Sequence, residues 1–312
     1  MSAMRESLNS RRPDAWVGAV DCGTSAPAAF LADRFWHVPR CSDAAFVPAV
    51  LDICKANGIG LIIPTIDTEL AAYACSRNLF EAEGIDVAIS GEETIAIAAN
   101  KWATHRWLVA NRFPAVRQAS PADVLAESAS WHFPLIAKPP DGSASIGVER
   151  LATTADLKYI AETRPHYLVQ ELAPGREFTI NLFINRRGKC VCAIPHWRLE
   201  VRAGEVSKGI TVRDSRLVNL GRDIAEALPD ARGPLNIQGF KDDAGSIAVI
   251  EINARFGGGY PLAHQAGARF TDWLLDEQEG RELNWFDDWK DDLAMLRYDA
   301  AVFVAGKEAS PG

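Results

Sequence analysis

Ile247-Ala248-Val249-Ile250-Glu251-Ile252-Asn253-Ala254-Arg255 reads as a strand whose opening residues are apolar on both faces and whose end carries a carboxylate, an amide and a guanidinium. Side chains alternate along a strand, so Glu251 and Asn253 share a face. A carboxylate at that place is costly to bury unless a cation or hydrogen-bond donors compensate it. The apolar run at residues 235–240 pairs with this strand across the polar turn Lys241-Asp242-Asp243-Ala244-Gly245 and supplies Gln238, two residues after Asn236 on one face. Gln238, Glu251 and Asn253 are three oxygen-bearing side chains suited to a hard cation such as Mg2+, which also takes phosphate oxygens and water. The ordinary alternative is that Asn253 caps a turn and Glu251 pairs with Arg255.

A second group of residues lies upstream. Phe133-Pro134-Leu135-Ile136-Ala137-Lys138 is a strand that delivers Lys138 into Pro139-Pro140-Asp141-Gly142-Ser143-Ala144-Ser145-Ile146-Gly147. Small side chains such as Ser143 and Ser145 leave backbone amides open to phosphate oxygens, and Lys138 adds a point charge. The spacing is not that of a P-loop, and as a lone Gly/Ser stretch it reads equally as a surface loop. Residues 177–185 alternate, with Phe178, Ile180, Leu182 and Ile184 on one side and Glu177, Thr179, Asn181 and Asn185 on the other. That pattern predicts an antiparallel strand with one wet face. The turn Arg186-Arg187-Gly188-Lys189 leads into the next strand, residues 190–195.

Between residues 16 and 97 short apolar runs alternate with helical patterns, which implies a parallel sheet with helices on its faces. Val47, Val50, Leu51 and Cys54 mark one helical face, and Gly58 stops that helix. Residues 4–8 already look helical, so the strand that normally opens such a sheet is missing from the pattern. The strand at residues 16–20 is therefore expected at an open edge, to be covered by an upstream extension, a rearranged N-terminus or a second chain. No G-x-G-x-x-G stands near the start, which argues against a nicotinamide-dependent dehydrogenase.

Composition sets the outer bounds. The 312 residues are 48% hydrophobic and 24% charged, which predicts folded domains and excludes a mostly disordered chain. Lys plus Arg total 33 against 41 Asp plus Glu, so a nucleic-acid backbone is not the expected partner. The six cysteines, Cys22, Cys41, Cys54, Cys75, Cys190 and Cys192, show no C-x-x-C spacing and read as reduced thiols. No secretory h-region and no run of membrane-spanning length is present, so a cytoplasmic location without membrane contact is expected. Nine Trp residues, several near both ends, leave room for a homodimer contact.

Taken in order, Ala137-Lys138-Pro139 with the loop at 142–148, Gln170-Glu171-Leu172 with Pro174-Gly175-Arg176-Glu177-Phe178, Gln238, and Glu251-Ile252-Asn253-Ala254-Arg255-Phe256 resemble the ATP-grasp superfamily, in its carbamoyl-phosphate-synthetase-like branch. Ile63-Pro64-Thr65-Ile66-Asp67-Thr68-Glu69-Leu70 is similar to part of its pre-ATP-grasp domain. The resemblance implies an α/β chain: a pre-ATP-grasp parallel-sheet domain over residues 1–98, then a two-lobed α+β ATP-grasp domain over 99–312. Its smaller lobe would cover about 113–172 and its larger lobe about 173–312. It further implies that Lys101 and Lys138 contact ATP phosphates with Ser143 and Ser145, that Gln170, Glu171 and Leu172 lie beside adenine, and that Glu177 approaches the ribose. Gln238, Glu251 and Asn253 would hold Mg2+, with Mn2+ an alternative, and Arg255 would neutralise the transferring phosphoryl group.

Arg255 is followed by Phe256-Gly257-Gly258-Gly259-Tyr260-Pro261, a glycine run before a helix, and Gly257 and Gly258 are where a carboxylate substrate is expected. His196, Arg198 and Lys208 are expected to add positive charge there. The implied activity is an ATP-dependent carboxylate–amine ligase working through an acyl phosphate on small-molecule substrates. Phosphorylation of bicarbonate or carbamate is one alternative, and an ATP-binding protein with reduced catalysis is another.

Overall fold

The protein, a computed structural model, is described for residues 1–23, 25–142 and 146–306, so the predicted phosphate-loop residues Ser143 and Ser145 lie outside the described residues. The N-terminal region runs α1 (Ser2–Arg11), β1 (Gly18–Asp21), α2 (Ala28–Leu31), β2 (Arg34–His37), α3 (Phe46–Asn57), β3 (Leu61–Ile62), α4 (Asp67–Glu81), β4 (Asp86–Val87) and α5 (Glu92–Ala99). The middle runs α6 (Lys101–Ala110), β5 (Gln118–Ala119), α7 (Pro121–Ala126), β6 (Leu135–Lys138), β7 (Glu149–Leu151), α8 (Thr154–Thr163) and β8 (Leu168–Glu171). The last part runs β9 (Arg176–Ile184), β10 (Cys190–Arg202), β11 (Glu205–Thr211), α9 (Ser215–Ala227), β12 (Gly233–Lys241), β13 (Ile247–Asn253), α10 (Tyr260–Ala266), α11 (Phe270–Gln278) and β14 (Ala294–Leu296).

The N-terminal strands are parallel, as the alternating pattern predicts, yet they form two separate ribbons, β1 with β2 and β3 with β4. In a parallel pair, alternate residues turn both backbone groups to the same side. The carbonyls of Val17 and Asp21 face β2, and those of Gly60 and Ile62 face β4. Gly18, Val20, Leu61 and Ile63 therefore turn their backbone groups outward, where no described residue pairs with them. α1 spans the two ribbons with side chains instead: Met4 and Leu8 pack on Val17, Leu61, Ile63 and Leu275. Its other ties reach far along the chain, with Ser7 Oγ 2.8 Å from Thr271 Oγ1 and Arg11 bound to Asp276 and Glu279.

The middle segment forms a four-stranded sheet, β5-β8-β6-β7, over a core of its own that includes Val124, Trp131, Leu135, Leu157 and Ile160. The last segment forms a six-stranded sheet in the order β13-β12-β9-β10-β11-β14. α9 covers one face with Leu217, Ile224 and Ala225, a helical stripe. Gly221 in that stripe lets the helix sit on Ile180 and Leu182, because a Cβ there would lie 2.9 Å from Ile180. α10 and α11 cover the other face around Phe183, Val191, Ile194 and Phe270. The predicted wet face of β9 is thus corrected: Thr179, Asn181 and Asn185 are buried, because the strand is central and its second face looks into the protein rather than into water.

The largest apolar core is continuous from Val38, Phe46 and Phe80 of the N-terminal region to Phe178, Ile180, Ile237 and Ile252 of the six-stranded sheet. Asp86 of β4 reinforces the join, accepting from Arg232 at 2.7 and 2.9 Å and from Arg186 at 2.5 Å. The six cysteines are free thiols, and no helix among the described residues is long and apolar enough to cross a membrane.

Gly175, in the link from β8 to β9, has φ +95° and its Cα rests on β12's end: a Cβ would stand 2.1 Å from the Lys241 carbonyl oxygen. Gly175→Ala is expected to cost about 2–3 kcal/mol from the unfavourable φ and the backbone clash together. Urea unfolding should show a lower midpoint at unchanged m-value; an unchanged midpoint would mean that the link yields freely.

Candidate active site

β12 and β13 pair antiparallel, as predicted, with Asn236 opposite Asn253 and Gln238 opposite Glu251 beyond a register shift at Gln238–Gly239, so the four polar side chains lie on neighbouring strands. A chain of amides then fixes their orientation. The Arg255 carbonyl can only accept, so Asn236 turns its Nδ2 toward it at 3.2 Å. Asn236 Oδ1 in turn accepts from Asn253 Nδ2 at 3.2 Å. This leaves Asn253 Oδ1 as the atom presented beside Glu251. Arg255 does not pair with Glu251. Its Nε and Nη2 donate to the two carboxylate oxygens of Asp67, at 2.7 and 2.6 Å, and Nη1 donates to the Phe256 carbonyl. Burial works against the Arg255 charge; Asp67 first, then Glu205 and Glu251, outweigh it and hold the guanidinium above its ordinary range.

Lys138 ends β6 with 7% exposure, and its ammonium makes no hydrogen bond or ion pair to any described residue. Burial pushes its ammonium down to about 8; Glu251 pulls it upward and Lys101 pushes it further down. Lys138 thus feels both Lys101 and Glu251, two residues also proposed from sequence. Lys101 opens α6 behind the N-cap Asn100, donates Nζ to the Gly142 carbonyl at 2.8 Å, and donates its backbone N–H to Pro140. The same helix end is joined to β8: the Lys101 carbonyl accepts from Gln118, whose Oε1 accepts from Gln170 at 3.1 Å. Gln170 is therefore buried, with its Nε2 tied to Gln118.

Glu171 pairs with Arg117 at 3.3 Å, and Leu172 follows as a half-exposed apolar side chain in the open link between the sheets. Glu177 lies 3.0 Å from Arg198 Nε, and burial raises its carboxyl above the ordinary value with Arg198 opposing. Arg198, only 5% exposed, also donates to the Gly204 carbonyl, so it is held inside the lobe. Lys208 points elsewhere, 2.5 Å from Glu200 on the β10–β11 hairpin.

His196 corrects the expectation of added positive charge. It is fully buried, and burial, followed by the nearby Arg198, lowers its imidazole to about 3, so it is neutral. Asn181 Nδ2 lies 3.2 Å from its Nδ1, which makes Nδ1 the acceptor and places the proton on Nε2. Nε2 has no partner and abuts Gly259, 2.7 Å from where a Cβ would be. The glycine run is full of such approaches: a Cβ at Gly257 would lie 2.9 Å from Asn236 Nδ2, and one at Gly258 only 1.7 Å from Glu205 Oε2. Three polar side chains occupy the room that three missing side chains leave. The residues that sequence reasoning did not single out are Asp67, Asn181 and Glu205. Asp67 stands in the first turn of a helix, where an acid is ordinary, and nothing local marks the other two.

With that geometry in place, comparison with known proteins is informative. The family model described as ATP-grasp domain matches residues 98–259, and the model described as PylC-like, N-terminal domain matches residues 3–88. No curated protein sequence matches the chain. Among solved structures, the biotin carboxylase domain of the Hydrogenobacter thermophilus 2-oxoglutarate carboxylase, bound to MgADP, ADP and bicarbonate, aligns with TM-score 0.74 at 13% identity over 94% of this chain and 70% of that one. The Campylobacter jejuni biotin carboxylase gives 0.72 at 13% identity over 94% and 71%. The Staphylococcus aureus N5-carboxyaminoimidazole synthetase with ADP gives 0.70 at 15% identity over 90% and 75%. These likenesses establish the fold.

His196 carries a pH consequence. Its folded value near 3 lies below the ordinary 6.5, so the unfolded chain binds the proton first and stability falls as pH drops below 6.5. The loss should approach about 1.4 kcal/mol per pH unit from this group. Urea unfolding between pH 6.5 and 5 should show a shallower acid decline in His196→Gln than in the parent; equal slopes would mean that His196 titrates normally.

Proposed function

The chain belongs to the ATP-grasp family, and from that premise we propose that it is an ATP-dependent carboxylate–amine ligase. The observation that carries this reading is Lys138, a buried ammonium without an anionic partner among the described residues, close enough to feel both Lys101 and Glu251. A buried cation of this kind is uncompensated until an anion arrives, and a nucleotide phosphate supplies one. Lys101 adds a second charge at the end of α6, and the backbone and apolar surface around Glu171 and Leu172 form the wall for the base. Glu177 stands next along the link, in reach of the ribose.

Glu251, Asn253 and Gln238 would hold Mg2+. The oriented Asn253 Oδ1 and the unpaired Glu251 carboxylate are the oxygen donors a hard cation prefers. When bound, the ion neutralises phosphate charge. The residues of the chain do the rest by position. Lys138 and Arg255 approach the transferring phosphoryl group from different lobes as the substrate carboxylate oxygen bonds to the γ-phosphorus and the bond to ADP breaks. The amine nitrogen then bonds to the acyl carbon, the carbon–oxygen bond to phosphate breaks, phosphate leaves with the electron pair, and the nitrogen sheds a proton. No protein nucleophile enters, and orientation with charge neutralisation supplies the rate.

Bicarbonate as the phosphorylated acid is a second reading, favoured by the likeness to a fold neighbour whose structure contains bicarbonate. Phosphate release from ATP, measured with a panel of carboxylates paired with amines and with bicarbonate, separates the two. A protein that binds ATP and releases no phosphate with any pair would contradict both.

Two variants test the site. Glu251→Gln keeps shape and removes charge, so calorimetry should show Mg-ATP affinity lower by about tenfold or more, with little change in metal-free ATP binding. Lys138→Ala should lose about a hundredfold in kcat/KM for ATP while the nucleotide-free melting temperature holds or rises, because a desolvated cation is removed. An early-melting variant with full residual activity would make Lys138 structural.

A further inference from the structure

Beside the Arg255 end of the cleft is a cavity of about 340 Å³, bounded by residues 65–67 at the start of α4, Glu205 at the start of β11, and residues 255–258. Its charges do not balance. Asp67 and Arg255 neutralise each other through their two parallel hydrogen bonds, whereas the Glu205 carboxylate has no hydrogen bond or ion pair to any described residue. Arg297 comes to the same loop yet donates to the Gly258 carbonyl instead. The cavity lining thus carries two carboxylates for one guanidinium, and only Asp67 is hydrogen-bonded to it, while Glu205 acts on Arg255 through space.

That carboxylate is built in by the backbone. Its Oε2 occupies the place where any side chain at Gly258 would begin, so glycine at 258 is what lets Glu205 lie on the cavity floor. From beneath, the buried and unpartnered His196 Nε2 abuts Gly259, and Asn236 abuts Gly257. Both neighbours are neutral, so neither compensates Glu205. The amides of residues 257–259 donate to no described acceptor and suit a carboxylate. Anion-binding amides and an unpaired acid thus share one small cavity, which fits a reacting pair of opposite charge.

We propose that Glu205 is the docking carboxylate for the ammonium group of the amine substrate, so that the acceptor is a cationic primary amine and not an anion or a neutral alcohol. The proposal rests on the ligase reading and gives its second substrate a charge. An ammonium against a partly buried carboxylate without a hydrogen-bond donor makes a charge-assisted hydrogen bond, and the nitrogen gives up one proton to solvent before its lone pair attacks and a second afterwards, whereas bicarbonate alone would leave Glu205 without a partner or repel it. Glu205 would act as a binding residue that discriminates among acceptors, apart from the groups that hold nucleotide.

The probe is n-propylammonium chloride, with n-propanol as the uncharged control, sodium bicarbonate as the anion and sodium chloride for ionic strength. Melting temperature is read with and without Mg2+ and a non-hydrolysable ATP analogue, on the parent chain, Glu205→Gln and Glu205→Asp. The expected result is a rise with n-propylammonium alone among the additives, with apparent affinity at least tenfold weaker in Glu205→Gln, partly restored in Glu205→Asp, and nucleotide affinity equal in all three. Absence of a rise with n-propylammonium, an equal rise in Glu205→Gln, or a rise with bicarbonate in its place would overturn the assignment. Failure of the nucleotide analogue to bind would instead strike the ligase reading, and the ammonium shift on the nucleotide-free protein would still report on Glu205.

Discussion

Arg255 and Asp67 stand 188 positions apart, and the bidentate pair between them orders the polar side of the cleft. Charge-assisted bonds in parallel fix direction as well as distance. With the guanidinium clamped to the first turn of α4, the main chain at 255 is held so that its carbonyl takes the Asn236 amide, and Asn236 takes that of Asn253. An ion pair between two regions of the chain is thereby converted into the choice of which atom of Asn253 stays free of the amide chain. Glu251 is left unpaired by the same arrangement, since the guanidinium nearest in sequence is already engaged.

The strand pair was legible because two alternating runs flank a short polar turn. The pairing itself follows from two runs of period two joined by Lys241-Asp242-Asp243-Ala244-Gly245, but an irregularity between Gln238 and Gly239 shifts the register by one, and it is this shift, unmarked in the sequence, that sets Gln238 opposite Glu251 and Asn236 opposite Asn253. The alternation of β9 was equally legible, and its meaning was not. Thr179, Asn181 and Asn185 look like a solvent face until a second layer of helices is known to cover it, and no local signal in residues 177–185 announces α10 and α11. Histidine shows the same limit. His196 beside Arg198 suggests a basic patch on paper, while burial makes the imidazole neutral and Glu177 takes the guanidinium. Asp67 and Glu205 escaped notice because their roles are defined by residues far away along the chain.

The glycine run at 257–259 has a different cause from the one its composition suggests. Backbone freedom is the common reason for glycine, yet none of the three adopts a left-handed φ. They are small so that Asn236, Glu205 and His196 can come within contact of the main chain. Close approach of polar side chains to a bare backbone gives the site its depth without a large apolar pocket. The continuous core beneath, from Phe46 and Phe80 to Ile237 and Ile252, keeps those approaches rigid across the join between regions.

The two parallel ribbons of the N-terminal region meet only through side chains, with α1 laid over both. Hydrogen-bonded sheets resist shear because sliding one strand breaks every rung at once, whereas apolar side-chain layers permit small displacements at little cost. The β3–β4 ribbon carries polar ties besides, since Asp86 binds Arg232 and α4 binds Arg255. The outer ribbon is thus fastened by apolar packing, with Val20 and Val38 set into the same core that carries the six-stranded sheet.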